Sequence, residues 1–308
     1  EAAFVRFLED FMGGCPERMY KAGEYVDLTA SPTPRYDLTS PELYTSYSIQ
    51  TTRGCPRTCA YCTLPVIYGA VYRHKEVEQV IREIRAIKAV SPNAFIFFAD
   101  DNMFIHREHS LKLLRAIADE HITWGTQTDI SVADQPEILE LLRPSGCRWL
   151  FIGLENVNEG SLRLLDKNQW KAGRCAAYPG LIEKIHNAGV YIWGSFMFGT
   201  DRDTPSVFEE TLRFVVDNGI YSGSFTILTP LPGTALFRQM EEQGRLTDRD
   251  WSRYTFWDVV FQPQNMTQEE LAKGVAWMYD RFYSAENSRL RLRYIRHRLR
   301  KRAAEGEM

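Results

Sequence analysis

Short apolar runs of strand length alternate with amphipathic stretches through the middle of the chain. The runs span residues 45–52, 94–100, 122–128, 148–154, 190–197 and 223–229. Between them, apolar residues recur at the spacing of one helix face, as Val80, Ile84 and Ile87 do after the first run. Strands that alternate with helices in this way favour parallel pairing through right-handed crossovers. The pattern therefore predicts six βα units in sequence.

The number of units indicates the fold class. Six units are fewer than a closed βα barrel needs, so we expect an α/β fold built as a six-unit (βα)6 partial barrel with parallel strands. The repeat is missing from both flanks, where prolines punctuate the first and short helical patterns fill the second. In the second flank, Thr267 with Glu270 three residues on predicts a capping box that opens a helix over residues 267–283. We therefore expect an N-terminal helix and connector over residues 1–44, the barrel over 45–234, and a small helical extension with a basic tail over 235–308.

Composition narrows the class of protein. The chain has 44% apolar and 25% charged residues, as soluble globular proteins do. Its longest buried-looking run, residues 95–99, is far shorter than a membrane-spanning helix, and no leader-peptide pattern opens the sequence. Three of the six cysteines cluster and the rest are scattered, which is typical of a metal site in a reducing compartment. These features predict a cytoplasmic protein, with Cys147 in the core and the role of Cys175 undecided.

Charge is unevenly distributed along the chain. The formal net charge is −3, yet residues 289–302 contain eight basic residues and no acidic one. An acidic body with a basic tail is unlike a general nucleic-acid-binding protein, so no nucleic-acid partner is expected. The arginines alternate with leucine and tyrosine as in an interfacial helix, which leaves two alternatives open: contact with a membrane surface, or a solvated tail.

The strongest chemical signal follows the first strand. Cys55, Cys59 and Cys62 have the spacing C-x3-C-x2-C within one loop. Thiolates suit iron-sulfur clusters or zinc, but a structural zinc site usually has four protein ligands and no second ligand pair follows here. Three ligands on a four-iron cluster leave one iron open to bind a cofactor or substrate. The alternatives are a zinc loop completed from elsewhere and three unrelated thiols.

At this spacing the sequence resembles the radical S-adenosylmethionine (SAM) superfamily. Tyr61 fits the aromatic residue that this family usually has before the third cysteine. The resemblance implies a [4Fe-4S] cluster on Cys55, Cys59 and Cys62, with SAM chelated to the open iron. It also implies reductive cleavage of SAM to methionine and a 5′-deoxyadenosyl radical. A low-potential donor is expected to supply the electron for this cleavage. Tyr61 is then expected to pack near the adenine.

Polar residues follow the second strand as Asp100, Asp101 and Asn102. An acidic pair with an amide at the carboxyl end of a strand is suited to accept hydrogen bonds from an ammonium group. The position matches the family's methionine-amine motif, although the usual Gly-Gly-Glu is replaced. The alternative is that these residues cap the following helix.

Later strand ends supply further candidates for SAM contacts. Gln127 is placed to reach a ribose hydroxyl or, equally, to lie in solvent as a loop amide. The resemblance makes Glu155 a SAM-contacting residue, and a carboxylate after an apolar run needs a partner. Lys167 is either a partner of the SAM carboxylate or a solvated lysine at a helix end. Ser195 lies among small residues that would let an adenine ring approach the backbone.

Over roughly residues 17–245 the chain is most similar to the cobalamin-binding subgroup of that family. The phrases that carry this resemblance are residues 47–56, 100–102, 152–155 and 230–234. Members of the subgroup have a cobalamin domain ahead of the barrel, and many methylate unactivated carbons of lipids, tetrapyrroles or natural products. This chain has no such domain and no Asp-x-His-x-x-Gly signature, and it opens with Glu1. Either the domain has been removed, or the protein works without cobalamin.

The sequence therefore predicts a radical SAM enzyme that abstracts hydrogen from a carbon of a small-molecule or lipid-like substrate, with methyl or other alkyl transfer as the outcome. One alternative is a cobalamin-independent member, such as a 3-amino-3-carboxypropyl transferase. Another is an iron-sulfur electron-transfer protein that never cleaves SAM. Polar strand ends around a pocket favour the enzyme, because an electron carrier needs no pocket.

Overall fold

All six predicted runs form strands in the computed structural model, which describes residues 2–166 and 168–304. Two further short strands follow the first run. Numbered in chain order, the strands are β1 (Ser46–Ile49), β2 (Thr52–Arg53), β3 (Arg73–His74), β4 (Phe95–Phe98), β5 (Thr123–Thr128), β6 (Cys147–Glu155), β7 (Tyr191–Phe198) and β8 (Ser222–Ile227).

Parallel pairing of these strands builds the central sheet. Within the described residues it holds six strands in the order β1-β4-β5-β6-β7-β8, and each neighbouring pair is parallel. Side chains alternate between its faces: Leu150 and Ile152 of β6 are fully buried in the main core, whereas Trp149 and Phe151 lie on the other face and are half-buried. The predicted six-unit α/β partial barrel is confirmed.

Helices connect the strands and extend beyond them. They are α1 (Ala2–Met12), α2 (Leu64–Tyr68), α3 (Val77–Val90), α4 (Arg107–Ala118), α5 (Pro136–Leu142), α6 (Glu159–Leu165), α7 (Tyr178–Asn187), α8 (Val207–Asp217), α9 (Ala235–Glu242), α10 (Gln268–Phe282) and α11 (Ala285–Ala304). The predicted stripe Val80, Ile84 and Ile87 is completely buried on α3. The predicted capping box opens α10, where the Glu270 N–H donates to Thr267 Oγ1 at 3.1 Å.

The first predicted strand is too long at its carboxyl end. β1 ends at Ile49, because the backbone N–H groups of Thr51 and Thr52 donate to the carboxylate of Asp100 at 2.6 and 2.9 Å instead of continuing the sheet. Thr52 then pairs with His74 in the antiparallel hairpin of β2 and β3, which the sequence pattern did not predict. The chain therefore turns out of the sheet directly before the cysteine motif.

The C-terminal extension packs on the outside of the barrel. α10 contacts β8 and α8, and α11 contacts α7 and α8. Arg291, in the predicted basic tail, is 4% exposed because its guanidinium lies 3.5 Å from the ring centroid of Phe282. The first part of the tail is thus docked through one buried arginine. None of the helices in the described ranges is long and apolar enough to cross a membrane.

Candidate functional site

The cysteine loop is held where β1 and β4 end. Gly54 has φ +88°, and a Cβ there would lie 2.1 Å from the carbonyl oxygen of Val71, so a side chain would clash with the neighbouring hairpin. The Gly54 N–H donates to Asp101 Oδ2 at 2.7 Å. Burial raises the pKa of Asp101, although Arg53 and Arg73 oppose that shift. Asp101 therefore anchors the start of the loop.

The three motif thiols are shielded from water. Cys55 is buried, and Cys59 and Cys62 are half-buried. Burial raises the pKa of all three thiols, that of Cys59 to about 11. Backbone N–H groups oppose this shift: that of Arg57 donates to Cys55 and that of Leu64 to Cys62. The loop thus directs backbone hydrogen-bond donors at the sulfur atoms of Cys55 and Cys62.

This donor set fits an iron-sulfur cluster. Sulfur ligands with backbone N–H donors around them are the environment that tunes such clusters. In the described part of the chain, no three His, Cys, Asp or Glu side chains converge as the ligands of a single metal ion would. The fit therefore rests on the chemistry and burial of the three thiols, and Cys55, Cys59 and Cys62 are the residues that would hold the cluster.

Asn102 connects the loop to the next strand. Its Nδ2 donates to Asp129 Oδ2 at 2.8 Å and lies 3.9 Å from the sulfur of Cys55, while Thr128 donates to its Oδ1 at 3.0 Å. Arg57, between the first two cysteines, donates to the same Asp129 oxygen at 3.2 Å. Burial alone would raise the pKa of Asp129, but hydrogen bonds from Ser131 and the charge of Arg57 hold it below its usual value. Asp129 is therefore a charged anchor beneath the loop.

Glu155 is the centre of a second network at the same edge. Tyr61 donates to its Oε1 at 2.8 Å, and the ammonium of Lys171 donates to that same oxygen and, at 3.0 Å, to the carbonyl of Gly153. All three groups are shielded, and burial raises the pKa of Tyr61 well above its usual value. Although burial opposes it, the charge of Glu155 raises the pKa of Lys171. The lysine is therefore charged at neutral pH.

The backbone at Glu155 is strained. Its φ is +68°, a left-handed conformation that costs a non-glycine residue free energy, and the register with β7 shifts between Gly153 and Glu155. A bulge of this kind re-aims a side chain at the end of a strand. Here it directs the carboxylate toward Tyr61 in the cysteine loop.

The segment after α6 wraps around the cysteine loop. The Ala60 N–H donates to the Leu165 carbonyl at 2.9 Å, and Cys59 forms an antiparallel bridge with Asp166. The Asp166 carboxylate in turn accepts the backbone N–H groups of Trp170 and Lys171 at 2.6 and 3.1 Å. This turn carries Lys171 back toward Glu155. Lys167, the lysine that the sequence suggested, lies outside the described residues.

Arg57 and Trp170 clamp the two segments together. The guanidinium of Arg57 lies 3.9 Å from the ring centroid of Trp170, and that of Arg174 lies 4.8 Å from it. Arg174 also pairs with Asp134 at 3.3 Å. The cysteine loop is therefore fixed from the β6 side as well as from β4 and β5.

Asp100 is directed away from solvent. It is completely buried, and its carboxylate accepts hydrogen bonds from Thr51 and Thr52, all from uncharged groups. Burial raises its pKa to about 6. The helix-capping alternative for residues 100–102 is wrong, because α4 begins at Arg107 and its cap is His106, which accepts the His109 N–H at 3.3 Å.

Two predicted side chains lie further inside the barrel. Gln127 lines a cavity on the concave face of the sheet, and Ser195 on β7 lies beside Gly153 in register. Neither side chain forms a hydrogen bond with another of the described residues. Neither is therefore bonded to the cysteine loop. Cys147 is fully buried at the start of β6, as predicted, and the half-buried Cys175 lies 3.3 Å from the Val157 carbonyl.

The sequence interpretation missed Arg57, Asp129 and Lys171. Asp129 had the same signal as Asp100, an acidic residue directly after a strand. Arg57 lies inside the motif itself, where only the cysteines and Tyr61 were selected. Lys171 had no local signal, since its position depends on pairing between residues more than a hundred positions apart in sequence.

The chain is similar to known proteins in sequence and in fold. Residues 49–215 match the family described as the Radical SAM superfamily. Bacteriochlorophyllide d C-12(1)-methyltransferase of Chlorobaculum tepidum is 29% identical over 89% of this chain and 60% of its own length. The hopanoid C-2 methylase of Rhodopseudomonas palustris is 28% identical over 75% of this chain and 45% of its own length. The chain thus spans about half the length of these curated relatives.

A solved structure shares the fold over nearly the whole chain. The cobalamin-dependent SAM radical enzyme OxsB, with aqua-cobalamin bound, superposes with a TM-score of 0.69 at 12% identity over 96% of this chain and 54% of that one. The family match covers the cysteine motif and the strands β4 to β7, more than half of the chain. The chain belongs to the radical SAM superfamily.

Proposed function

We propose that this chain is the catalytic barrel of a radical SAM methyltransferase, with residues 45–234 as the catalytic part and residues 1–44 and 235–308 as its flanking segments. The observation that carries the proposal is the meeting of two networks at one edge of the sheet. Tyr61, from the loop of buried thiols, donates to Glu155, which Lys171 also holds. Cys55, Cys59 and Cys62 would hold a [4Fe-4S] cluster, which would supply the one-electron reduction that splits SAM into methionine and a 5′-deoxyadenosyl radical.

The residues around the thiols have distinct roles in this proposal. Glu155 accepts hydrogen bonds from SAM, and Lys171 and Tyr61 hold its carboxylate in place from two sides. Asn102 and Asp101 border the methionine end of SAM while they fix the loop. Asp100 acts as a positioning residue through Thr51 and Thr52, because its oxygens already accept their N–H groups. Gln127, Ser195 and Lys167 remain predicted contacts.

The names of the relatives support the proposed substrate class and the proposed second cofactor. Two of them are named as methylating a bacteriochlorophyllide and a hopanoid, and the structural neighbour is named as cobalamin-dependent. We extend to this chain the transfer of a methyl group to an unactivated carbon of an apolar small molecule. A low-potential donor would supply the electron, and a bound cobalamin would carry the methyl group.

SAM cleavage tests the proposal. The chain is reconstituted with iron and sulfide without oxygen, reduced with dithionite and assayed for 5′-deoxyadenosine. We expect product from the wild type, none from Cys59→Ala, and wild-type amounts from the matched control Cys175→Ala, whose thiol lies outside the loop. A wild-type cluster that leaves SAM intact would contradict the proposal and favour an electron carrier.

Methyl transfer needs a separate readout. SAM with a deuterated methyl group is supplied with bacteriochlorophyllide d or a hopanoid, with and without cobalamin, and the products are weighed by mass spectrometry. Deuterated product that depends on cobalamin supports the subgroup assignment. Cleavage of SAM with no labelled product in any arm, including arms with a full-length relative as positive control, would restrict the proposal to radical formation.

We also propose that the basic helix α11 contacts a membrane surface. Arg289, Arg293 and Arg296 are exposed on it, and Leu290 and Leu292 are about 40% exposed beside them. Flotation with anionic vesicles is expected to carry the wild type but not a triple charge reversal of these arginines. Reversal is preferable to truncation, because truncation would also remove the buried Arg291. Equal flotation of both proteins would exclude the contact.

A further inference from the structure

Aromatic rings line the concave face of the sheet below the site. They border a cavity of about 570 Å³ whose wall includes Phe95, Phe97, Gln127, Trp149, Phe151 and Trp193. Cavities of this size commonly bind small molecules. Trp193 is 37% exposed, although its strand β7 is paired on both sides, with β6 and with β8. A protein that leaves such a large apolar ring uncovered inside its barrel has a surface suited to an apolar ligand.

The rings form two walls that meet at an angle. Trp149 stacks on Phe95 at 5.8 Å between centroids and on Phe97 at 5.7 Å, with interplanar angles of 13° and 27°. Trp193 stands across this surface, tilted by 63° to Trp149 and by 61° to Phe151. One wall is therefore flat, and the other limits the edge of whatever lies on it.

Gly125 lets the flat wall form. A Cβ at this position on β5 would lie 2.5 Å from the indole of Trp149, so the ring lies directly on the backbone of the neighbouring strand. Its position is fixed by the packing before any ligand arrives. A preformed aromatic surface of this kind binds without the cost of ordering its own side chains.

Charge and location restrict the ligand. The residues that line the cavity carry no charge, and its polar side chains are Thr45, Ser46 and Gln127. Gln127 precedes Asp129 by two residues on the chain, and Asp129 holds Arg57 of the cysteine loop. Gln127 therefore brings one wall of the cavity to within two residues of Asp129, at the edge where we place SAM.

We propose that this cavity binds the planar, unsaturated and uncharged ring system of the substrate, stacked on Trp149 and bounded by Trp193. This inference rests on the proposed function for the identity of the ligand as substrate. The binding surface itself depends on neither the cluster nor SAM. A ring held there would have one edge directed to the carboxyl ends of the strands, where hydrogen abstraction is proposed.

Equilibrium dialysis with three probes tests the inference without any turnover. The probes are pyrenemethanol, which is planar and uncharged; pyrenesulfonate, which is planar and anionic; and androstanol, a saturated fused-ring alcohol. We expect the wild-type chain to bind pyrenemethanol about tenfold or more tightly than either other probe, a difference that stacking and desolvation supply. Equal binding of androstanol, or no binding of any probe, would overturn the proposal.

Matched tryptophan variants locate the binding. Trp193→Ala is expected to weaken pyrenemethanol binding about tenfold, Trp193→Phe much less, and Trp251→Ala not at all. Trp251 is the control because it is 56% exposed outside the barrel. Gly125→Ala should also weaken binding, since its methyl displaces Trp149; if that variant does not fold, the Trp193 series still decides. Equal affinities of Trp193→Ala and Trp251→Ala would contradict the assignment.

The same preparation separates this inference from the proposed function. Failure of the wild type to form 5′-deoxyadenosine counts against radical chemistry and leaves the dialysis result intact. Normal 5′-deoxyadenosine formation with no selective probe binding counts against the cavity and leaves the radical chemistry intact.

Discussion

Lys171–Glu155 and Lys75–Glu83 are the same chemical pair in two parts of the molecule. All four side chains are less than a tenth exposed, and each lysine donates to one glutamate oxygen. The Lys75 pair, with N and O 2.5 Å apart, joins the end of the β2–β3 hairpin to α3. The Lys171 pair lies against the cysteine loop. Burial and pairing alone therefore do not distinguish a structural ion pair from a site.

The pairs differ in backbone and in shared partners. Glu83 lies within the regular helix α3, whereas Glu155 has φ +68° at a bulge. The Glu155 oxygen that accepts Lys171 also accepts the Tyr61 hydroxyl. Strain that persists in a folded protein tends to occur where a side chain must be aimed. The comparison teaches that strain and convergence, rather than a buried charge, mark the candidate site.

The largest expected effect is common to both pairs. Lys75→Met and Lys171→Met each leave a buried carboxylate without its cation, and we expect each to lower the free energy of unfolding by about 3–5 kcal/mol. Urea denaturation of the metal-free chain in reductant measures this. Lys273→Met is the control, because its pair with Glu269 is three-quarters exposed and should contribute little to stability. A loss at only one of the two buried sites would show that the pairs are not energetically alike.

A buried carboxylate with uncharged donors sharpens the comparison. The pKa of Asp100 is raised from 3.8 to about 6, so between these pH values the folded state binds more protons than the unfolded state. The free energy of unfolding should therefore fall by about 3 kcal/mol as pH rises from about 3 to about 7, a window that includes both pKa values. Asp100→Asn should lack this contribution.

The difference between wild type and Asp100→Asn isolates the effect. Burial lowers the pKa of His109 to about 4. Protonation of this histidine therefore lowers the free energy of unfolding as pH falls through the same range, but it does so equally in both proteins. Urea denaturation across this pH range gives the two curves. Parallel curves would show that Asp100 keeps its ordinary pKa in the folded chain.

Activity should separate the two pairs. Glu155→Gln is expected to lower the rate of 5′-deoxyadenosine formation about 100-fold, equivalent to about 2.7 kcal/mol, because it removes a charge that holds SAM. Glu83→Gln should leave the rate per cluster-loaded molecule unchanged, since Glu83 lies on α3 and contacts Lys75. Comparable losses in both variants would mean that Glu155 acts through folding alone.

Much of the fold could be predicted because it is encoded locally. The alternation of strand runs and helical stripes located the six strands, and the pair Thr267 and Glu270 located the start of α10. The predicted end of β1 was wrong because the Thr51 N–H donates to the carboxylate of Asp100, 49 residues away, and not to a neighbouring strand. Local patterns contain no information on such a bond.

The candidate site divides in the same way. The cysteines and Glu155 were predicted from a motif and a strand end, which are local features. Lys171 was not, because the bridge between Cys59 and Asp166 and the turn on the Asp166 carboxylate place it. The strain at Glu155 was equally invisible, since a glutamate in sequence does not indicate a left-handed backbone.

The smallest effect tests that strain directly, by replacing each glutamate with glycine and with alanine. Both replacements remove the carboxylate, so their difference reports the backbone alone. At position 155 the left-handed conformation penalises alanine, and Glu155→Gly should be more stable than Glu155→Ala by about 1 kcal/mol. At position 83 the helix penalises glycine, and Glu83→Gly should be less stable than Glu83→Ala by about 1 kcal/mol. Opposite signs in urea denaturation would support the contrast between an aimed carboxylate and a structural one, whereas the same sign at both positions would remove strain from the features that mark the site.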